Sequence, residues 1–255
     1  MFLTDSIYVG MDPTSARKEV SYAALDRDLR LLALAEGSLE EVLVFLSEHQ
    51  NVVVAVNAPR SPNQGVARQM VEKQNAAEKH PLRGVELRLA EYELRQRGIA
   101  VSGTPARREL CPAWMQIGFS LYDSLSQAGF LPFFASQSPR RWLETHPHAC
   151  FCVLLEQIPL PRLSLEGRIQ RQLILYEQNL HIPDPMDFFE EITRFKLLKG
   201  KLPVEIIYSA ETLDVLVAAY TAWLAAHHPE KVSRLGDPTE GEIILPGTLK
   251  EKYSP

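Results

Sequence analysis

The sequence predicts an α/β fold on a mixed sheet: three antiparallel strands, a crossover helix, then parallel strands, with a helical insertion and helices on both faces. Three observations lead there. Residues 6–12, Ser-Ile-Tyr-Val-Gly-Met-Asp, are a short apolar run rich in β-formers that ends in a carboxylate. Residues 20–25 and 29–35 are two further apolar runs joined by a hairpin-sized connection, Asp26-Arg-Asp28. Ser38 and Glu41 then form a capping box, and an amphipathic helix leads to Val52-Val-Val-Ala-Val-Asn57, a run without alternation that is expected to be buried on both faces. A right-handed crossover lays that last strand beside the first.

Composition bounds the rest. The 255 residues, 45% of them hydrophobic, can bury a sizeable core as one large domain or two small ones. A net charge of −5, from 27 basic and 32 acidic residues, excludes a global basic field as the means of holding nucleic acid, so any such binding must be local. Three cysteines and the lack of a cationic, apolar leader imply a reducing compartment, and the chain is read as cytoplasmic. No apolar run approaches the roughly 20 residues of a membrane span, so no membrane partner is expected.

Asp12 stands at the carboxyl end of the first strand, where α/β sheets present ligands; the alternative is that it only opens the turn Asp-Pro-Thr-Ser. The helix over residues 38–50 places Leu39, Val42, Leu43 and Leu46 on one face, and Asn51 closes it. Residues 60–109 form the one positive region, with ten Lys or Arg against six Glu. Within it residues 84–97 have helical periodicity in Val85, Leu87, Ala90 and Leu94, ending at Gly98. This is either a solvated helix surface or an insertion that leans Arg88, Arg95, Arg107 or Arg108 over a phosphate-bearing ligand. A next helix over 113–128 carries Trp114, Ile117, Leu121 and Leu125 as a core stripe.

Residues 142–144 read as a further strand with Glu144 at its end. His146, His148, Cys150 and Cys152 would share one face of an extended strand as a zinc set, or Pro147 begins a helix and the cysteines are small buried hydrophobes. After a Pro-rich linker, residues 158–162, come two amphipathic helices over 164–180 and 184–199, the second capped by Asp184 with Pro185 in its first turn. A last helix runs from Ser209 to about residue 226. Glu211 and Asp214 share a face of its first turn, either compensating the helix dipole or, if the helix packs on the first strand, serving as ligands.

The order of three antiparallel strands, crossover helix and central strand resembles the ribonuclease H-like fold. Gly10-Met-Asp-Pro-Thr14, Val54-Ala-Val-Asn-Ala-Pro59, Glu144-Thr-His-Pro-His-Ala149, Leu165-Glu-Gly-Arg-Ile-Gln-Arg171, Leu213-Asp-Val-Leu-Val-Ala-Ala-Tyr-Thr-Ala222 and Glu240-Gly-Glu-Ile-Ile-Leu-Pro246 resemble the successive motifs of the domain of unknown function 429 family, described as predicted ribonuclease H-like nucleases. The resemblance implies a single such domain over residues 1–255 with a basic, helical insertion at 60–130. It further implies metal-dependent phosphodiester cleavage, with Asp12, Glu144 and Asp214 as catalytic acids. Asn57 occupies a place where that family generally shows Asp.

Such a constellation would hold Mg²⁺ or Mn²⁺ through Asp12, Asn57, Glu144 and Asp214, with Glu211 as reserve ligand or base. Lys18, Arg141 and His146 are the nearby candidates for phosphate contact, and the expected partner is DNA or RNA. Two alternatives accompany this expectation. One is a binding or scaffold protein that kept the fold and lost an acid; the other is an actin-like ATPase, although Asp12 is followed by Pro-Thr-Ser where phosphate loops need glycine.

Overall fold

The computed structural model of the chain describes residues 3–13, 20–74 and 86–254. In chain order its elements are β1 (Leu3–Pro13), β2 (Val20–Leu25), β3 (Leu31–Gly37), α1 (Leu39–Ser47), β4 (His49–Val56), α2 (Val66–Gln74), α3 (Leu89–Gln96), α4 (Ala113–Gln127), β5 (Leu131–Pro132), β6 (Arg140–Thr145), α5 (Pro147–Leu155), α6 (Leu165–Glu177), α7 (Asp187–Glu191), α8 (Arg194–Leu198), α9 (Ala210–His227), β7 (Val232–Asp237) and β8 (Gly241–Pro246). One mixed sheet runs β3-β2-β1-β4-β6-β8-β7, with β5 also paired to β6. The β3-β2-β1 part is antiparallel, β1, β4, β6 and β8 run parallel, and β7 returns antiparallel on β8.

The unalternating run in β4 follows from its central place. Val52, Val54 and Val56 face a core layer shared with Val42 and Leu46 of α1 and Leu121 and Leu125 of α4. Val53 and Ala55 face the opposite layer, with α5, α6 and α9. The capping box of α1 is formed in full: the Ser38 hydroxyl accepts from the Glu41 amide at 3.2 Å and the Glu41 carboxylate accepts from the Ser38 amide at 2.8 Å. No helix among the described residues is long and apolar enough to cross a membrane.

Helix α9 is buried on nearly every side and lies directly on β1. The approach depends on Gly10, because a Cβ there would stand 2.0 Å from the Val215 carbonyl oxygen and 2.4 Å from the Ala219 nitrogen. Since side chains alternate along a strand, Asp12 shares the face of Gly10 and is aimed at the side that α9 covers.

Several boundaries differ from the sequence reading. The helix expected over 184–199 is two short helices, α7 and α8. Ile192 is extended, and the Thr193 hydroxyl accepts from the Lys196 amide at 3.2 Å, so this β-branched pair starts a new helix instead of continuing the old one. Asp184 accepts from the Met186 amide at 2.9 Å, making a turn where a helix start was expected. Helix α3 starts at Leu89, and the first residues of the expected helix, 84 and 85, lie outside the described residues, as do Lys18 and most of the turn after Asp12. Within residues 60–130, α4 packs on β1 and α3 on β7 and β8. The β7–β8 hairpin was not read from the sequence; its signals are the glycines at 236 and 241, both at positive φ around a tight reversal.

Candidate active-site cleft

Three of the residues singled out by sequence come together at the carboxyl edge of the central strands. The Asn57 backbone N–H donates to the Met11 carbonyl at 2.8 Å, which continues the β1–β4 pairing past the end of β4. The Asn57 side-chain N–H donates to Asp12 Oδ1 at 2.9 Å. Asp214, in the second turn of α9 and buried, acts on Asp12 from above: burial, and after it the charge of Asp214, raises the Asp12 carboxyl to about 7. Burial raises Asp214 itself to about 6, against the pull of Arg162.

Arg162 is the charge that holds this corner together. Its Nε donates to Asp214 Oδ2 at 2.8 Å, its Nη2 reaches the same oxygen at 2.6 Å, and its Nη1 lies 3.3 Å from Glu211 Oε1. It comes from the linker before α6, whose first turn is drawn against that linker at Gly167, where a Cβ would meet the Pro161 carbonyl at 2.0 Å. Sequence reasoning treated 158–162 as a connection and missed Arg162, since nothing in its spacing marks a partner that arrives from α9.

Glu144 is engaged elsewhere. Arg88 grips both of its oxygens, with Nη1 to Oε2 at 3.0 Å and Nη2 to Oε1, while the Arg60 amide donates to Oε2 at 2.9 Å. Arg88 Nε also bonds Glu91 at 2.9 Å, and Glu240 accepts from the Leu89 and Gln64 amides at 2.6 and 3.0 Å. These four charged side chains are at most 3% exposed. Buried charges persist only when paired and hydrogen-bonded, so the network fixes α3 against β6 and the β7–β8 turn. Gly241, at φ +114°, leaves room for it, since a Cβ would stand 2.7 Å from Glu144 Oε2. Arg88 therefore does not lean over a ligand, a correction to the insertion reading, and its spacing of three from Glu91 was the signal available.

Other candidates separate similarly. Arg95 donates to the Val101 carbonyl at 3.0 Å, Arg108 lies 3.3 Å from Asp123, and Arg141 covers the ring of Phe133 at 4.1 Å. His146 accepts from the Ala149 amide at 3.2 Å as the N-cap of α5, and burial, followed by the nearby His148, lowers it to about 4. It is neutral at pH 7 and offers a phosphate no charge. Pro147 begins a helix, as the alternative to a zinc strand required. Cys150 bonds Thr145 at 3.1 Å and Cys152 lies 3.9 Å from His148, so the four side chains do not share one face.

Among the described residues no three His, Cys, Asp or Glu side chains are grouped as a metal-holding set. The five-residue set Asp12, Asn57, Glu144, Asp214 and Glu211 therefore does not fit an ion as a unit, because the oxygens of Glu144 are held by Arg88. A smaller set, Asp12 and Asp214, stands clear of Arg88. Mg²⁺ keeps most of its water and is commonly held by one or two carboxylates, and Asp12 with Asp214 are two desolvated carboxylates whose mutual repulsion a cation relieves.

The fold and the cleft define a mixed α/β protein with a pair of destabilised carboxylates at the carboxyl edge of its central strands. The chain belongs to the family described as protein of unknown function (DUF429), whose profile matches residues 10–240. Comparison with curated proteins and with solved structures returned no match.

Proposed function

We propose that this chain is a divalent-metal-dependent phosphodiester hydrolase, a nuclease, on a ribonuclease H-like fold. The strand order β3-β2-β1-β4-β6, antiparallel then parallel, supports the fold assignment. The observation that carries the function is the Asp12–Asp214 pair, two carboxylates from separate elements, each raised by burial and Asp12 further by its neighbour's charge. Asp12 and Asp214 would hold Mg²⁺ or Mn²⁺, with Asn57 orienting Asp12 through its side-chain N–H and Glu211 at the rim. When bound, the ion supplies Lewis-acid stabilisation of a phosphoryl oxygen and lowers the pKa of attacking water. Arg162, half-exposed and on a linker, pairs with Asp214 and Glu211 and would meet a phosphate once released from Asp214.

A second reading is a scaffold or binding protein that kept the fold without catalysis. Two observations favour it: an amide at 57, and an arginine already seated on Asp214 and Glu211. Titration calorimetry with Mn²⁺ and an oligonucleotide cleavage assay decide between the two. The parent should bind Mn²⁺ and cleave, Asp12→Ala and Asp214→Ala should each lose more than about tenfold in affinity, a scale that even outer-shell changes reach, and Asn57→Asp should bind more tightly. Glu144→Gln should leave Mn²⁺ affinity unchanged. Metal binding without cleavage of any nucleic acid favours the scaffold, and equal affinity in all five proteins sinks the site.

A further inference from the structure

The sheet forks at β6. On one side β6 pairs with β4 throughout; on the other it pairs with β5 at Arg141 and Trp142 and with β8 at Glu144 and Thr145, leaving Leu143 at the gap between the two partners. Where β5 turns away, a cavity of about 370 Å³ opens between the diverging strands, walled by Phe133, Phe134, Trp142 and Ile244. Its size lies within the roughly 300–1,000 Å³ range of small-molecule sites. Arg60 lies over the Trp142 ring at 5.2 Å and Arg234 over the Phe134 ring at 4.3 Å. Phe134 is 37% exposed, a large apolar ring left at the mouth.

The lining selects a chemistry. Aromatic walls favour a flat ring, and guanidinium planes stack on such rings while donating in their own plane. Among the described residues the hydrogen bonds of these two guanidiniums each use a single nitrogen: Arg60 Nη1 to the Pro238 carbonyl at 3.1 Å, and Arg234 Nη2 to the Glu242 carboxylate at 2.8 and 2.9 Å. Donors therefore stand beside an acceptor, Glu242, at the rim. A heterocycle that presents both ring acceptors and an amino donor matches this edge, and a simple hydrocarbon ring does not. Glu144 lines this cavity and also a second one, of about 210 Å³, that Asn57 lines. The slot thus shares Glu144 with the cavity that Asn57 lines, and the Asn57 side chain bonds Asp12.

We infer that the cavity is a binding slot for the purine or pyrimidine ring of an unpaired nucleotide, which, resting on the nuclease reading, makes single-stranded nucleic acid the substrate class of the neighbouring cleft. A paired base hides its hydrogen-bonding edge and one or both faces, so duplex does not enter.

The experiment titrates the full chain, without added metal, with adenosine 5′-monophosphate, ribose 5-phosphate, a single-stranded oligonucleotide and its duplex. The mononucleotide and single strand should bind, and ribose 5-phosphate and duplex should bind more weakly. Phe134→Ala should weaken the mononucleotide by about fivefold or more, the low end for loss of one stacked base. Arg234→Ala should weaken it as well, while Glu177→Gln, an exposed change on α6 away from the slot, leaves it unchanged. Equal binding of ribose 5-phosphate, preference for duplex, or an unaltered Phe134→Ala overturns the slot. Slot binding intact in a protein that neither binds Mn²⁺ nor cleaves leaves the slot standing and removes the nuclease reading.

Discussion

Asp214 is buried and Asp12 partly so, and the folded state holds both carboxyls above the ordinary carboxylate range. Burial, then the Asp214 charge, raises Asp12 to about 7, and burial raises Asp214 to about 6. An acid whose folded pKa exceeds its unfolded value near 4 contributes stability that is full below about pH 4 and is lost as pH rises through 6 to 7. The chain free of divalent ions should therefore lose on the order of 2 kcal/mol between pH 5 and pH 8, with the two acids titrating as a pair. Urea melts across that range check this: Asp12→Asn should flatten the profile, and Mn²⁺ at pH 8 should restore the midpoint. These two acids were legible because each ends or opens an element. Arg162 and Arg88 were not, since their partners Asp214 and Glu144 are distant in sequence and a basic side chain among polar neighbours reads as solvated surface.

Among the elements, α9 and β1 set the geometry that the cleft depends on. Gly10→Ala would drive a methyl group into the Val215 carbonyl and the Ala219 nitrogen, both backbone atoms of a helix that cannot move aside singly. Overpacking usually costs about 1–3 kcal/mol, and here the upper end or more is expected. The denaturation midpoint should fall, and Mn²⁺ affinity should fall with it as Asp214 is pushed from Asp12. By contrast, the same change at Gly129, where a Cβ meets none of the described residues within 4 Å, should show only the strain of its φ of +84° and no loss of affinity. The capping box of α1 and the two-sided burial of β4 were legible because local chemistry and hydrophobic pattern agree there. The break between α7 and α8 was not, because a continuous apolar period hid the β-branched pair at 192 and 193.

Across the whole molecule, charge is uneven: the excess of basic residues in 60–109 stands against a net charge of −5. Some of these basic side chains are engaged within the protein, Arg88 with Glu91 and Glu144 and Arg68 with Glu72. What remains should still give oligonucleotide binding that weakens by about tenfold or more between 50 and 200 mM salt, as a few neutralised phosphates require. Equilibrium binding at the two salt concentrations measures this, and a flat response would mean that the region is solvated surface. The sheet's first half was legible as a chain of adjacent elements. Its second half was not, because β8 enters between β6 and β7 and only tertiary placement reveals that a short apolar run is central. The Gly10 contact has a last consequence, for biogenesis. The first four strands emerge from the ribosome with one apolar face bare, and the helix that covers it is made only after β6, α5 and α6. Until α9 arrives that half of the sheet is a long-lived sticky surface, so the nascent chain should lean on holdase chaperones, and a stop codon before residue 210 should yield aggregate in place of a smaller folded protein.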